Sequence, residues 1–388
     1  MSAPSRPLRI LTLSYDFPPL GGGASAVVSG LSRELARLGH TVDVVTMGFR
    51  GLPRQDVVDG VRVHRIPCLR RRRHLCTIPE AASYLALAGP TLRRLVAAHR
   101  YDLIHAHCIL PGGFMAWRLH QATGIPYVIT AHGSDVPNHN LHRFRAAHRL
   151  LAPVWRAVVR DAHRILCPSE TLRSLVVRGS RLAQTCVIPN GVDAERFEPA
   201  RAVPRTPRIL IVSRMIEGKG VQHALAAFNN GFTQQYELHI VGDGPYLPTL
   251  RKLAREHHGR VRFWGWLDGG SDELKALYET SSVFLFPSEA ENCPLVLLEA
   301  MAAGLPIITT QGTGCAEVVG DAAMLIPPGD PQAIRQALHD LLPDAARQRR
   351  LGEAGRRRLE ARFSWTSVAR QHLAVYPNGS AAARASRP

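Results

Sequence analysis

Short apolar runs alternate with helical patterns along most of the chain. The run at 8–14 is followed by a loop at 16–23 and then by apolar residues three or four positions apart, from Val27 to Leu38. This order predicts a buried strand and an amphipathic helix. The same alternation predicts further strands at 41–47, 102–107, 126–132, 164–169, 186–191, 208–214, 236–244, 261–266, 282–288 and 306–310. Strands that alternate with helices indicate parallel sheets with helices on both faces.

The alternation occurs in two similar halves, and 388 residues are more than one core usually organises. We therefore predict an α/β fold with two doubly wound, Rossmann-like domains that face a cleft. The expected domains are 1–198 and 199–362, divided in the segment 198–207, which is rich in proline and arginine. The composition of 377–388 predicts a disordered tail.

Ligands of open α/β sheets bind beyond the carboxyl ends of the strands. Unusual residues stand at these strand ends in both halves. In the first half they are Gly21–Gly23, His105, His107 and 132–135; in the second half they are Arg214, Lys219, 242–245 and Glu291. The sequence therefore places candidate ligand-binding residues in both predicted domains.

The segment 289–306 predicts a helix that is apolar on every side and therefore buried, yet Glu299 lies about two turns inside it. Asn292 is the expected cap, with Pro294 in the first turn and Gly304 just past the end. A buried carboxylate needs partners. Two interpretations stay open: Glu299 pairs with an arginine of the core, or its two oxygens accept hydrogen bonds from the vicinal hydroxyls of a ribose.

The segment 212–220 follows a strand and precedes a helix, so its backbone can approach a phosphate. Arg214 can donate two hydrogen bonds to phosphate oxygens, and Lys219, one of three lysines in the chain, can supply a compact charge. An ordinary surface turn is the alternative. Gly242 and Gly244 form a tight turn that either flanks a nucleotide or only reverses the chain.

Three histidines stand at two neighbouring strand ends of the first half. His105, His107 and His132, with Asp135, can contact a sugar hydroxyl, although a single histidine is more often structural. Gly22 and Gly23 precede a helix and can admit a phosphate or a sugar without a side-chain clash. The first turn has no G-x-G-x-x-G, so the fingerprint of a nicotinamide or flavin site is missing.

The composition is that of a globular protein, with 45% hydrophobic and 20% charged residues. We find no run long enough for a membrane span and no signal-peptide pattern. Seven scattered cysteines without a C-x-x-C fit reduced thiols, so a cytoplasmic location is expected.

The formal net charge is +17, and residues 1–200 carry +13 of it. The run Arg70–Arg73 precedes an apolar stretch at 81–92 that is expected to be helical. Further arginines that could extend a basic rim are Arg93, Arg94, Arg143, Arg145 and Arg149. The rim is either a solvated surface or a contact with an anionic membrane. Nucleic-acid binding is a weaker alternative, because aromatic residues make up 6% and no known module is visible.

An ordered set of motifs resembles the retaining glycosyltransferases of family 4, which have the GT-B fold. The motifs run in order along nearly the whole chain: PPLGGGASAVVSGLSRELARLGHTVDVVT, ITAHGSD, VIPNGVDAERFEP, IVSRMIEGKG, HIVGDGP and PSEAENCPLVLLEAMAAGLP. The last contains the E-x7-E element of the family as Glu291 and Glu299. After Glu291 the chain reads Asn-Cys-Pro where Gly-Phe-Gly is common.

The resemblance implies a role for each matching residue. Glu299 would hold the ribose, Glu291 would lie near the donor sugar, and Arg214 and Lys219 would bind the diphosphate. His132 would contact the transferring sugar. The remaining donor-side candidates are Gly22, Gly23, Gly242, Gly244, Asn292, Cys293, Pro294 and Leu295; the acceptor-side candidates are His105, His107 and Asp135. The segment 363–376 would be the last helix, crossing back onto the N-terminal domain.

The activity implied by the resemblance is transfer of a sugar from a nucleoside diphosphate sugar, with UDP as the expected carrier and with retention. A saccharide or a lipid-linked molecule would be the acceptor, in polysaccharide or glycolipid biosynthesis. No Asp-x-Asp pair occurs, so we expect no metal cofactor. A nucleotide-sugar epimerase or hydrolase of similar architecture is the open alternative.

Overall fold

The computed structural model describes residues 6–73, 75–139, 145–198, 206–228, 235–257 and 259–377. Its contacts divide the chain into two compact units, residues 1–191 with 365–388, and residues 192–364. Most of the predicted boundary segment, 199–205, lies outside the described residues, as does the predicted tail from 378 onward.

The first unit is built on an eight-stranded sheet. Its strands are β1 (Arg9–Leu13), β2 (Thr41–Met47), β3 (Gln55–Val58), β4 (Val61–Ile66), β5 (Leu103–His107), β6 (Tyr127–Thr130), β7 (Arg164–Cys167) and β8 (Thr185–Val187). Its helices include α1 (Gly23–Arg37), α2 (Ile78–Ala98), α3 (Phe114–Thr123), α4 (Arg145–Leu150), α5 (Ala152–Asp161) and α6 (Glu170–Gly179). The order is β3-β4-β2-β1-β5-β6-β7-β8, and every pair is parallel except β3 with β4.

The second unit is built on a six-stranded parallel sheet, in the order β11-β10-β9-β12-β13-β14. Its strands are β9 (Thr206–Val212), β10 (Glu237–Val241), β11 (Val261–Gly265), β12 (Ser281–Phe286), β13 (Ile307–Thr310) and β14 (Ala323–Ile326). Its helices include α7 (Val221–Ala227), α8 (Leu247–Leu253), α9 (Asp272–Thr280), α10 (Leu295–Ala302), α11 (Gly314–Val319), α12 (Pro331–Leu341) and α13 (Ala345–Arg362).

Strand β9 shows why the second sheet is covered on both faces. Successive side chains of a strand point to opposite faces. Leu210 packs in one buried apolar cluster, while Ile209 and Ile211 pack in another. The predicted class, an α/β fold with two doubly wound Rossmann-like sheets, is confirmed.

The last helix, α14 (Trp365–Val375), returns to the first unit and packs on α1. The ring of Trp365 fills the space beside Gly30 and Gly191, where an added Cβ would collide with it. Thr366 Oγ1 donates a hydrogen bond of 2.7 Å to Glu34. The packing of Trp365 beside the two glycines and the hydrogen bond from Thr366 therefore hold this helix in place.

No helix within the described ranges is long and apolar enough to cross a membrane.

Candidate active site

Two loops of the second unit, one after β9 and one after β12, pack tightly against each other. The Glu289 N–H donates a hydrogen bond of 3.0 Å to the Gly218 carbonyl. Gly220 has a φ of 70°, and a Cβ there would collide with the Pro287 carbonyl. Glycine is required at this crossing because the backbones are too close for a side chain.

These loops place Lys219 against Glu291. The Lys219 ammonium forms an ion pair with Glu291 Oε1, and the Ser288 hydroxyl donates a hydrogen bond of 2.8 Å to the same oxygen. Both charged side chains are largely buried, with exposed fractions of 14% and 13%. The pair therefore holds the ammonium in a defined place, which a flexible lysine on a surface turn would lack.

Arg214 lies on the same loop as Lys219 but is exposed. Its guanidinium has no ion-pair partner among the residues that the structure describes. Its backbone is fixed by the next strand, because the Ser213 and Met215 N–H groups donate to the Val241 and Asp243 carbonyls at 3.0 and 2.9 Å. A fixed backbone with an uncompensated cation is suited to an anionic ligand.

The glycines of the 242–245 turn support the loop of Arg214. Gly242 and Gly244 have φ values of 129° and 159°, and a Cβ on either would collide with the backbone of 213–215. The Tyr246 N–H closes the turn by donating to the Met215 carbonyl at 2.9 Å. The turn therefore braces the loop that carries Arg214. Contact of Gly242 and Gly244 with a nucleotide stays a prediction.

The start of α10 corrects one prediction. The N-cap is Pro294, with no side-chain cap hydrogen bond, so the expectation that Asn292 caps the helix was wrong. The reason is that Pro294 has an extended backbone, with a φ of −70° and a ψ of 125°, so the helix begins only at Leu295. Asn292 and Cys293 are buried instead, and Gly304 lies just past the end as predicted, with a φ of 61°.

Gly314 is a supporting residue that the sequence did not reveal. Its N–H donates a hydrogen bond of 3.0 Å to the Glu291 carbonyl. A Cβ at this position would collide with the Asn292 backbone. The Thr-Gly pair at a strand end indicated that another backbone segment approaches closely, but it did not indicate which segment.

Glu299 accepts a hydrogen bond of 2.8 Å from the hydroxyl of Tyr278, a fully buried residue of α9. Desolvation by burial raises the Glu299 pKa to about 6, although the Tyr278 hydrogen bond and the charge of Arg196 lower it. No arginine forms an ion pair with Glu299 in the described part of the chain. Its partner is therefore a tyrosine, which the spacing of α9 gave no reason to single out.

The three candidate histidines of the first unit, His105, His107 and His132, form one connected group. His105 and His107 are buried, at 1% and 2% exposure, and His132 is partly exposed. His107 Nδ1 lies 3.1 Å from His132 Nε2. This placement differs from the expected acceptor-side contact of His105 and His107, because both side chains contact other side chains inside the unit.

Asp135 is buried as well and shapes the turn that carries His132. Its carboxylate accepts hydrogen bonds from the backbone N–H groups of His132 and Ile109, at 3.0 and 2.6 Å. The Trp155 indole donates a hydrogen bond of 2.9 Å to its carbonyl. With both carboxylate oxygens engaged, Asp135 holds the backbone of this turn, and its acceptor-side role stays a prediction.

Gly22 and Gly23 open helix α1, which has no side-chain cap hydrogen bond. An added Cβ on Gly22 would meet open space, whereas one on Gly21 would collide with Asp16 and Ser25. Glycine is therefore required at position 21 by the packing of the loop. The open space at Gly22 is compatible with a loop that contacts a ligand, as predicted.

The arginine run Arg70–Arg73 contains one buried residue and three exposed ones. Arg70 is buried, pairs with Asp16 at 2.8 Å and donates to the Arg72 and Arg73 carbonyls. It therefore cannot belong to a basic rim, which corrects that part of the prediction. Arg71, Arg72 and Arg73 are exposed. So are Arg93, Arg94 and Arg149, while Arg143 and the side chain of Arg145 lie outside the described residues.

Comparison with known proteins identifies the family. Residues 21–196 match the model "Glycosyltransferase Family 4", and residues 206–344 match "Glycosyl transferases group 1". Glycogen synthase of Mycobacterium tuberculosis is 32% identical, over 95% of this chain and 94% of its own. The chain belongs to glycosyltransferase family 4. Its two Rossmann-like units are those of the GT-B fold, and it is a glycosyltransferase.

Two further relatives extend the comparison. A GDP-mannose-dependent α-(1-6)-phosphatidylinositol monomannoside mannosyltransferase of M. tuberculosis is 28% identical, over 97% of this chain and 100% of its own. The structure of sucrose-phosphate synthase from Thermosynechococcus elongatus superposes with a TM-score of 0.83 at 27% identity, covering 95% of this chain and 98% of that one. The similarity therefore extends over both units.

Proposed function

We propose that this glycosyltransferase moves a sugar from a nucleoside diphosphate sugar, with UDP as the expected carrier, to a saccharide or lipid-linked acceptor. We further propose that the anomeric configuration is retained. The observation that carries the proposal is the loop of Arg214 and Lys219, braced by Gly242 and Gly244, with Lys219 fixed against Glu291. A fixed cation and an exposed cation on a single loop suit a departing diphosphate.

The glycosyl transfer reaction requires stabilisation of the leaving group. The bond between the anomeric carbon and the diphosphate oxygen breaks, and the carbon gains positive charge while the diphosphate gains negative charge. The acceptor hydroxyl attacks from the same face and passes its proton to a departing phosphate oxygen. In this scheme Arg214 and Lys219 oppose the growing charge, so we expect no metal cofactor.

Other residues have proposed roles in binding the donor. Glu299 accepts hydrogen bonds from the ribose hydroxyls, and Glu291 lies beside the sugar. His132 contacts the transferring sugar. The burial that raises the Glu299 pKa supports this role, because a ligand that donates two hydrogen bonds would compensate the buried carboxylate.

Donor affinity should depend on pH through Glu299. Its carboxyl has a pKa of about 6, so the carboxylate predominates above this pH and the protonated form below it. Only the carboxylate accepts two strong hydrogen bonds, so the dissociation constant should be constant from pH 7 to 8 and rise as the pH falls through 6. Calorimetric titration across this range measures it.

The control for this pH series is Glu299→Gln, which cannot titrate. Any rise of the dissociation constant that remains in the variant as the pH falls is caused by protonation of the ligand's phosphate groups. If wild type and variant show the same pH dependence, Glu299 does not contact the nucleotide through its carboxylate.

The identity of the donor is tested by a thermal-shift screen of UDP-, GDP- and ADP-sugars, followed by acceptor trials with the best donor. The relative named for GDP-mannose makes the GDP arm of the screen essential. Consumption of the donor without an acceptor would support the epimerase or hydrolase alternative, whereas acceptor-dependent release of the nucleoside diphosphate supports transfer.

A membrane-bound acceptor would suit the exposed arginines Arg71–Arg73, which Leu69 and Leu75, exposed at 65% and 38%, flank on either side. We propose that this segment docks reversibly on the anionic cytoplasmic face of a membrane. Each arginine near an anionic surface contributes about 1 kcal/mol, and salt weakens the attraction. The relative named for a phosphatidylinositol mannoside acceptor supports a lipid acceptor.

Vesicle sedimentation tests this docking. Replacing Arg71–Arg73 with serine should abolish most binding to anionic vesicles and leave catalysis on a soluble acceptor unchanged. The matched control replaces Arg251, Lys252 and Arg255, three exposed cations of the second unit. Equal binding to neutral and anionic vesicles, or equal losses in both triple variants, would rule out a specific docking segment.

A further inference from the structure

A row of four side chains connects the end of the last helix to His132. The Tyr376 hydroxyl lies 2.9 Å from His105 Nδ1, just beyond α14. The ring of His105 stacks on that of His107, with centroids 4.5 Å apart. His107 Nδ1 lies 3.1 Å from His132 Nε2, and these two rings also stack, at 5.3 Å. Three of the four side chains are buried, and only His132 reaches the surface of the unit.

Burial disfavours the charged forms of the histidines in this row. Burial lowers the pKa of His105 and His107 well below the usual value for histidine. Burial also lowers the pKa of His132, while the Asp135 carboxylate raises it. His372 of α14, tilted against His105 at 5.6 Å, has a pKa of about 4. At neutral pH the imidazoles are therefore hydrogen-bonding groups without charge.

Only one proton can lie between the facing nitrogens of His107 and His132. A neutral imidazole carries one N–H donor and one nitrogen acceptor. Two protons between the facing nitrogens would oppose each other, and none would leave two lone pairs in contact. One ring must therefore donate and the other accept, which couples the tautomers of the two rings and orients the plane of the His132 ring.

We propose that His107 is a positioning residue that holds the His132 ring in one orientation for its contact with the transferring sugar. This inference rests on the proposed function of His132. His107 cannot reach a ligand itself, because it is buried behind His132. His105 and Tyr376 pack behind it, and Thr130 Oγ1 holds His105 Nε2 at 2.8 Å.

Substitution of His107 tests the inference. His107→Leu keeps much of the volume but removes the partner of His132 Nε2. We expect kcat to fall about tenfold, which corresponds to the loss of one hydrogen bond. The dissociation constant for the nucleoside diphosphate alone should stay unchanged, because its proposed contacts lie in the second unit. His107→Asn, whose amide has a polar atom at the same number of bonds from Cα as Nδ1, should restore kcat to within about threefold.

Tyr376→Phe is the matched control, because it removes a buried hydrogen bond at the far end of the same row. We expect it to lower the unfolding temperature and leave kcat unchanged. If His107→Leu keeps the wild-type kcat, or if His107→Asn is as impaired as His107→Leu, the inference is wrong. Equal losses of kcat in His107→Leu and Tyr376→Phe would also contradict it and indicate a general packing role.

A measurement on the wild type avoids the risk that a variant does not fold. Nitrogen-15 NMR of labelled histidine rings should detect a coupling across the N–H···N bond between His107 and His132. Absence of that coupling, with both rings assigned, overturns the inference. A wild type that binds no nucleotide sugar and transfers no sugar would instead contradict the proposed function.

Discussion

Replacing Lys219 with alanine should lower kcat about 100- to 1,000-fold, the usual cost of removing one group that stabilises transition-state charge. Its ammonium is fixed by Glu291, so it needs no reorganisation as the diphosphate departs. Arg214→Ala should have an effect of similar direction. Because Arg214 is exposed and has no ion-pair partner among the described residues, this variant should unfold at the wild-type temperature.

Steady-state kinetics with thermal unfolding of each variant provide the measurement. Lys252→Ala is the control, since it removes an exposed lysine from the same unit. A Lys219→Ala enzyme with wild-type kcat and a lowered unfolding temperature would mean that the Lys219–Glu291 pair serves stability alone.

Replacing Glu299 with glutamine should weaken donor binding by about 1.5–3 kcal/mol, or roughly 10- to 150-fold in the dissociation constant. The amide has nearly the same shape, and its oxygen can still accept the hydrogen bond from Tyr278. The substitution therefore removes the charge-assisted bonds to the ribose and leaves the packing of α10 in place. Calorimetric titration with the nucleoside diphosphate provides the value.

The companion variant Tyr278→Phe separates the ribose role from a packing role. It removes the hydroxyl that touches Glu299 but leaves the carboxylate, so donor affinity should change little. If Glu299→Gln binds the donor as tightly as the wild type, the carboxylate does not hold the ribose. If both variants lose affinity equally, the hydrogen bond between the two residues is what matters.

The alternating pattern predicted most of the fold because each buried parallel strand leaves a continuous apolar run. Three strands were missed. β3 is exposed at alternate positions and joins β4 through the turn at Asp59 and Gly60, so neither strand shows the apolar run of a central one. β14 is short and mostly not buried. Strands at or near a sheet edge carry too little apolar surface to be recognised this way.

The candidate site was predictable where strand ends and glycines gave a local signal, as for the loops of Lys219 and Glu291. Contacts between distant segments were not predictable. Arg70 appeared to be one of four equivalent arginines, yet Asp16, on a loop far away in sequence, draws it into the interior. Likewise, His105 Nδ1 contacts the hydroxyl of Tyr376, which lies far away along the chain.

Proton NMR of one reaction mixture tests whether this protein transfers a sugar with retention of the anomeric configuration. The mixture contains the α-linked nucleotide sugar that stabilises the enzyme most and the acceptor found with it. We expect the nucleoside diphosphate to appear only when the acceptor is present, and the new glycosidic bond to have the α configuration. A β-linked product would contradict retention, and donor consumed at the same rate without acceptor would contradict glycosyl transfer.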